Sequence, residues 1–205
     1  MLFAIPANAH TFTGMVGFYD GLSHPVLGMD HFLAMVSVGI ISAQIGGKAI
    51  WTLPLTFVGV MVIGGIVGIV AEINKGLDDQ VISLSEIDSV NYFADYVYVF
   101  IEIGIILSVI LLGLAIAINK KISAYLIFIF VGLFGFCHGT AHGLEMPWAS
   151  NPILFALGFA SGTATLHLFG VGIGYFALKT FFSSILLRIV GILCAAYGSY
   201  LIFTI

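Results

Sequence analysis

Residues 138–145 read His-Gly-Thr-Ala-His-Gly-Leu-Glu. On a helix turning about 100° per residue, His138, His142 and Glu145 fall within about 60° of one another. They form a stripe, H-x-x-x-H-x-x-E, in which two imidazoles and a carboxylate can approach one cation. The i,i+4 histidine pair is the spacing by which a helix offers two ring nitrogens to a single metal ion. A second group comprises His24, Asp30 and His31. Its histidines are seven residues, or two turns, apart, which on a regular helix puts them on a common face. Asp30, about 100° from His31, then faces another helix or holds an imidazole from behind as a carboxylate partner. Glu102 and His167 are the other ionisable residues inside apolar stretches. Imidazole and carboxylate suit nickel, cobalt, copper(II) and zinc, whereas magnesium favours oxygen alone. No thiolate or Met cluster points to copper(I). A lone intramembrane histidine such as His167 equally fits a hydrogen bond to a neighbouring helix.

The elements that must position these groups follow from composition. Of 205 residues, 60% are hydrophobic and 8% charged, with six Lys+Arg, ten Asp+Glu and six His. A soluble domain carries about 25% charged residues, so this chain cannot cover a water-facing surface. The mean hydropathy of +1.17 agrees. A soluble enzyme, a nucleic-acid binder and a disordered chain are excluded. The expectation is an all-α polytopic membrane protein, a bundle of six transmembrane helices of roughly 20 apolar residues each. The spans are expected near 25–45, 52–71, 97–118, 122–142, 152–178 and 185–204. Pro25, Pro54 and Pro152 suit helix starts, and Gly46-Gly47 a helix stop. Gly59, Gly64, Gly65 and Gly68, with Gly158, Gly162, Gly170, Gly172 and Gly174, give small-residue spacings for close helix packing, and Gly135 and Gly139 flank His138. Cys137 and Cys194 read as packing residues. Tyr92, Tyr96, Tyr98, Trp51 and Trp148 read as an interfacial belt.

Lys48, the pair Lys120 and Lys121, and the pair Lys179 and Arg188 fall in alternate loops, which should therefore be cytoplasmic. Both termini are then outside, together with the loop 143–151 and an acidic loop 72–96 expected as a short exposed excursion, partly helical near Tyr92 to Tyr98. Ala7-Asn8-Ala9 before His10 resembles the small-x-small end of a secretory signal, so residues 1–9 read as a signal peptide remnant. With this orientation His24, Asp30, His31, Glu102, His138, His142 and Glu145 gather in the outer half of the bundle, and His167 lies near the middle. Intramembrane ionisable residues are functional by default, and this one-sided gathering points to a cation pathway. The two halves run in opposite directions, which admits an inverted repeat.

Three stretches carry a family resemblance. They are His24-Pro25-x-x-Gly28-x-Asp30-His31-x-x-Ala34-Met35-x-x-Val38-Gly39, followed by Gly46-Gly47-Lys48-Ala49-x-Trp51 and Pro54; Glu102-x-Gly104-Ile105-x-x-Ser108; and His138-Gly139-x-Ala141-His142-Gly143-x-Glu145-x-Pro147 with Leu166-His167-x-x-Gly170-x-Gly172-x-Gly174. The chain resembles the HupE/UreJ family of small nickel or cobalt permeases over nearly all of residues 10–205. Two departures are Lys48, where the family commonly has Arg, and the long 72–96 loop. The resemblance implies a six-helix protein of a bacterial inner membrane that supplies metal to hydrogenase or urease maturation. It implies a metal path lined by His24, Asp30, His31, His138, His142 and Glu145, with Glu102 and His167 as further candidates.

The functional expectation is a permease, not an enzyme. A divalent ion is its substrate, nickel or cobalt, with zinc and copper also suited to the ligands, and no cofactor is covalently held. The bilayer and the ion are its partners, and its oligomeric state is open. Two rival classes are an intramembrane zinc hydrolase using three histidines and an activated water, and a b-type haem protein pairing His138 or His142 with His167. No nucleotide-binding loop is present, so any driving energy comes from an ion gradient, the membrane potential or another protein.

Overall fold

A computed structural model describes residues 17–81, 87–118, 123–146 and 151–203, with side chains for those outside 74–95. The described residues form seven helices: α1 (Phe18–Leu27), α2 (Met29–Ile45), α3 (Ala49–Val81), α4 (Ile87–Ile118), α5 (Ala124–Leu144), α6 (Pro152–Ala177) and α7 (Phe181–Ile202). Five stretches are long and apolar enough to cross a membrane: Ala49–Ile73, Tyr96–Ile118, Ala124–Leu144, Pro152–Ala177 and Phe181–Ile202. The pair α1 and α2, bent by 85° at Gly28, makes a sixth if the two count as one broken span. The expected signal remnant at 1–9 lies outside the described residues.

The first span is therefore not the continuous helix expected for 25–45. The helix begins at Phe18, and Pro25 lies near its end instead of at its start. Proline lacks the N–H that would bond back one turn, and its ring crowds that carbonyl. The helix ends two residues later, where Gly28 takes an extended conformation with φ −82° and ψ 117°. Pro54 also falls inside a helix, because α3 begins at Ala49. There Gly46 and Gly47, both with positive φ, turn the chain sharply out of α2 and allow an early restart. Pro152 does sit at the first position of α6, whose first turn Asn151 caps by accepting from the amides of Ile153 and Leu154 at 3.0 and 3.2 Å.

Of the excursion expected at 72–96, the helix near Tyr92 to Tyr98 is present within α4, while the rest is corrected. Helix α3 continues to Val81 and α4 starts at Ile87, leaving only 82–86 outside the description. Glu72, Lys75 and Gln80 are ordinary helix formers, and Gly76 alone costs about 1 kcal/mol, too little to end a long helix. The polar residues thus prolong two spans beyond the apolar zone. Arg188, expected in a loop, lies inside α7 and donates from Nε to the carbonyl of Ala117 near the end of α4 at 2.8 Å. Gln44, near the end of α2, donates to the carbonyl of Ile116 at 3.4 Å. The ends of α2 and α4 and the start of α7 therefore share one end of the bundle, the end that carries Lys48 and Arg188.

Glycines set the helix pairing. A Cβ at Gly64, Gly68, Gly139 or Gly143 would strike backbone atoms across the α3–α5 contact, and one at Gly135 would meet the backbone of Phe57. Gly21, Gly158 and Gly162 do the same between α1 and α6, Gly39 and Gly170 between α2 and α6, and Gly113 and Gly191 between α4 and α7. Helix α6 is thus the support for both halves of the broken span. Without water between apolar helices, such close backbone approach supplies much of the packing energy. Gly59 and Gly172 are exceptions to the packing expectation, since nothing lies within 4 Å of a Cβ placed on either. Cys137 and Cys194 are free and buried, packed at Gly104 and Gly113 respectively.

Substitution at the α3–α5 contact should show how much rests on it. Gly139→Ala forces the carbonyl of Met61 away and should destabilise the detergent-purified protein by about 1–3 kcal/mol, read as a lower thermal midpoint. Gly132→Ala on the same helix, with nothing within 4 Å, should leave the midpoint unchanged.

Candidate metal centre

Helix α5 presses its glycine edge against α3 and turns His138 and His142 inward, where they are 0% and 2% exposed. The Nδ1 of His138 lies 2.9 Å from the carbonyl of Phe134. A carbonyl only accepts, so Nδ1 carries the proton and Nε2 of the neutral ring presents a lone pair. His31 is held the same way: its Nδ1 donates to Oδ1 of Asp30 at 2.8 Å. Asp30 is thus the orienting carboxylate behind an imidazole, the second of the two roles that its position allowed. Gly28 contributes here as well, because a Cβ at that position would crowd both Asp30 Oδ1 and His31 Nδ1.

The bend at Gly28 changes how His24 and His31 meet. They do not share one helix face; they belong to α1 and α2, and the bend leaves their rings 6.4 Å apart. Both close on His142, with ring centroids 4.5 Å away for His24 and 4.6 Å for His31. His31 also lies 5.1 Å from His138. Four imidazoles from three helices therefore form one cluster.

At the end of α5, Glu145 is the capping residue, and its Oε2 lies 4.0 Å from His142 Nδ1. His24, His142 and Glu145 each offer one ligand atom, all within 4.8 Å of one another. Bonds of about 2.0–2.1 Å from nitrogen or oxygen to a first-row ion put tetrahedral ligands about 3.4 Å apart. The triangle therefore closes on an ion with sub-ångström movement. Phe155 and Phe159 wall this layer, each 6.2 Å from His24, and Phe159 is 4.3 Å from His142. An apolar cleft lined by Met61, Gly65, Gly139, His142, Phe155 and Phe159 runs between α3, α5 and α6, with His142 as its ionisable wall residue.

Tyr98 is part of the site, not simply the belt residue that composition suggests. Its hydroxyl donates to Glu145 Oε1 at 2.9 Å. The sequence signal was available: Tyr98 stands one turn before Glu102 on α4, so both look the same way. Glu102 is half-buried and contributes no atom to the closed triangle. Trp51 and Tyr96 are exposed, as a belt requires; Tyr92 and Trp148 lie outside the described side chains. His167 stands apart on α6, two turns below Phe159, or about 12 Å along the axis. It is fully buried and packs against Phe57, with ring centroids 5.0 Å apart.

The physical signature of the cluster is what it leaves unpaired. Among the described residues, Nε2 of His31 and His138 and both ring nitrogens of His142 and His167 are buried with no hydrogen-bond partner. Each unpaired buried group costs about 1–3 kcal/mol. A divalent ion that prefers imidazole nitrogen and carboxylate oxygen can satisfy the one lone-pair nitrogen that each neutral ring carries.

Comparison with known proteins adds the lineage. The chain matches the family described as HupE / UreJ protein over residues 1–88 and 87–201. It is 37% identical over 172 residues to "Protein HupE" of Rhizobium leguminosarum bv. viciae, covering 83% of this chain and 78% of that one. No solved structure matches it.

If Asp30 orients His31 for an ion, Asp30→Asn should weaken cobalt binding to the purified protein by about 10–100-fold without lowering its thermal midpoint. Isothermal titration of the variant against the wild type, with the midpoint measured alongside, checks this.

Proposed function

The chain belongs to the HupE/UreJ family, and we propose that it is a permease that takes up a divalent transition-metal ion, nickel or cobalt, through the histidine and carboxylate cluster. The observation that carries this reading is the convergence of His24, His31, His138 and His142, with bare ring nitrogens on His31, His138 and His142, at the end of the bundle opposite Lys48 and Arg188. The positive residues mark the cytoplasmic side, so the cluster end faces outward and the termini with it. The family's association with nickel and cobalt supports the same substrate.

The mechanism follows from the layers. Glu145, Glu102 and Asp30 give the entrance negative charge, which concentrates cations there. His24, His142 and Glu145 exchange their ligand atoms for the ion's waters, while Tyr98 holds the other oxygen of Glu145. His31 and His138 lie one layer further in, with His31 in ring contact with His142. The ion can pass from one ligand pair to the next without ever being bare in an apolar surrounding. Asp30 holds Nδ1 of His31 and keeps Nε2 as its ligand atom. His167 is the deepest candidate ligand on the path. Delivered inward, the ion becomes available to the hydrogenase or urease maturation machinery that the family serves.

Uptake of radioactive nickel by expressing cells tests the reading. His142→Ala and His138→Ala should each cut the initial rate about tenfold or more. Membrane insertion is verified in parallel by surface labelling. Unchanged uptake in a correctly inserted His142→Ala protein contradicts the assignment.

A further inference from the structure

We propose that the Tyr98 hydroxyl keeps Glu145 a one-oxygen ligand, and so holds a coordination position of the outer site open for the imidazole that receives the ion next. This rests on the permease reading above and assigns to that site a residue that sets how tightly it holds its cargo.

Glu145 caps α5, and its backbone is fixed there, the amide donating to the carbonyl of Ala141 at 3.0 Å. Its side chain is not fixed by packing, because the residue is exposed. A carboxylate on such a side chain can turn and offer a cation one oxygen or both. Tyr98 removes that freedom from across the α4–α5 contact: its hydroxyl donates to Oε1 at 2.9 Å. A hydrogen bond to an ionised acceptor is about twice as strong as a neutral one, and it draws charge from the oxygen that accepts it. Oε2 is left as the better ligand atom. It lies 4.0 Å from Nδ1 of His142, beyond hydrogen-bond reach, and that nitrogen has no partner among the described residues. The gap is little wider than the roughly 3.4 Å between two tetrahedral ligands of one ion.

The number of ligands then decides what the site can do. With one oxygen from Glu145, the site has three protein ligands, the others being His24 and His142. Three ligands leave the fourth tetrahedral position to water or an incoming group, whereas four make a closed site of the structural kind. The second oxygen of Glu145 would fill that position. His31 is placed to take it instead: its ring centroid is 4.6 Å from that of His142, and its bare nitrogen is Nε2, since Nδ1 is held by Asp30. Conduction needs a site firm enough to enter and weak enough to leave. Tyr98 supplies the second condition as a positioning residue, acting through Glu145 without touching the ion. Tyr96, two residues earlier and 74% exposed, is the contrasting case of a tyrosine that fits the interfacial belt.

The test uses the full chain purified in detergent, with cobalt(II) as the bound probe, and the same protein in liposomes, with nickel chloride as the transported one. Azide added to the wild-type cobalt protein should enter the open position and shift its visible spectrum. Tyr98→Phe, which removes only the hydroxyl, should bind cobalt at least as tightly as wild type and show no azide shift. Its uptake at saturating nickel should fall about tenfold. Tyr98→Leu should do the same, which separates the hydroxyl from the packing of the ring, and Tyr96→Phe should match wild type throughout. A residue that merely braced α4 against α5 would weaken cobalt binding on removal and leave the azide response in place. Weaker binding, a wild-type azide shift or wild-type uptake in Tyr98→Phe, or no azide shift in wild type, overturns the role of Tyr98 and leaves the outer site standing. If wild type binds no cobalt, the permease reading falls with it.

Discussion

An imidazole nitrogen buried in an apolar bundle must be hydrogen-bonded, must bind something else, or must carry the cost of neither. Everything at the cluster end of this protein turns on that choice. Among the described residues six such nitrogens are without a partner, and at about 1–3 kcal/mol each they weigh against a folding free energy that is itself only about 5–15 kcal/mol in typical domains. The chain does not scatter this cost. It gathers most of it at His142 and the rings of His31 and His138 beside it. Asp30 and the Phe134 carbonyl each engage one Nδ1 and thereby select Nε2 as the exposed lone pair of His31 and His138.

Such an arrangement needs backbones that do not drift. The glycine-lined contacts of α3 with α5 and of α6 with α1 and α2 place carbonyls and amides against one another with no side chain between them. His138 and His142 lie beside Gly139 and Gly143, so the residues that seat α5 against α3 alternate with those that face the cluster. The broken first span has the complementary role. Its 85° bend lets α1 bring His24 to His142 from a direction that a straight helix would not allow. Clamped crossings and one bend thus place four rings from three helices around a common point.

The histidine pair on α5 was legible in the sequence because a helical period relates residues on one continuous helix, and α5 is unbroken through His142. The same reasoning failed for His24 and His31. Their seven-residue spacing predicts a shared face, but Pro25 and Gly28 end one helix and start another between them. The residues come together by tertiary bending, not by periodicity. Asp30 kept both of its permitted roles until the hydrogen bond to His31 chose one. Tyr98 was hidden because tyrosines near span ends usually serve as interfacial anchors, and its contact with Glu145 spans elements 47 residues apart. Phe57, Phe155 and Phe159 carried no signal at all, since one aromatic residue in an apolar span looks like any other. Polarity alone suggests a loop for the acidic start of 72–96, but Glu72, Lys75 and Gln80 are compatible with helix, and α3 continues to Val81.

The central claim is that the bare nitrogens of this cluster are ligands for a transition-metal ion. Anomalous diffraction at the nickel absorption edge, from crystals of the nickel-loaded protein, addresses it most directly. The account predicts an anomalous peak within bonding distance of ring nitrogens of His24 and His142 and of a carboxylate oxygen of Glu145. Ordered nickel found only away from these residues, or a loaded protein whose cluster stays free of anomalous density, would contradict it.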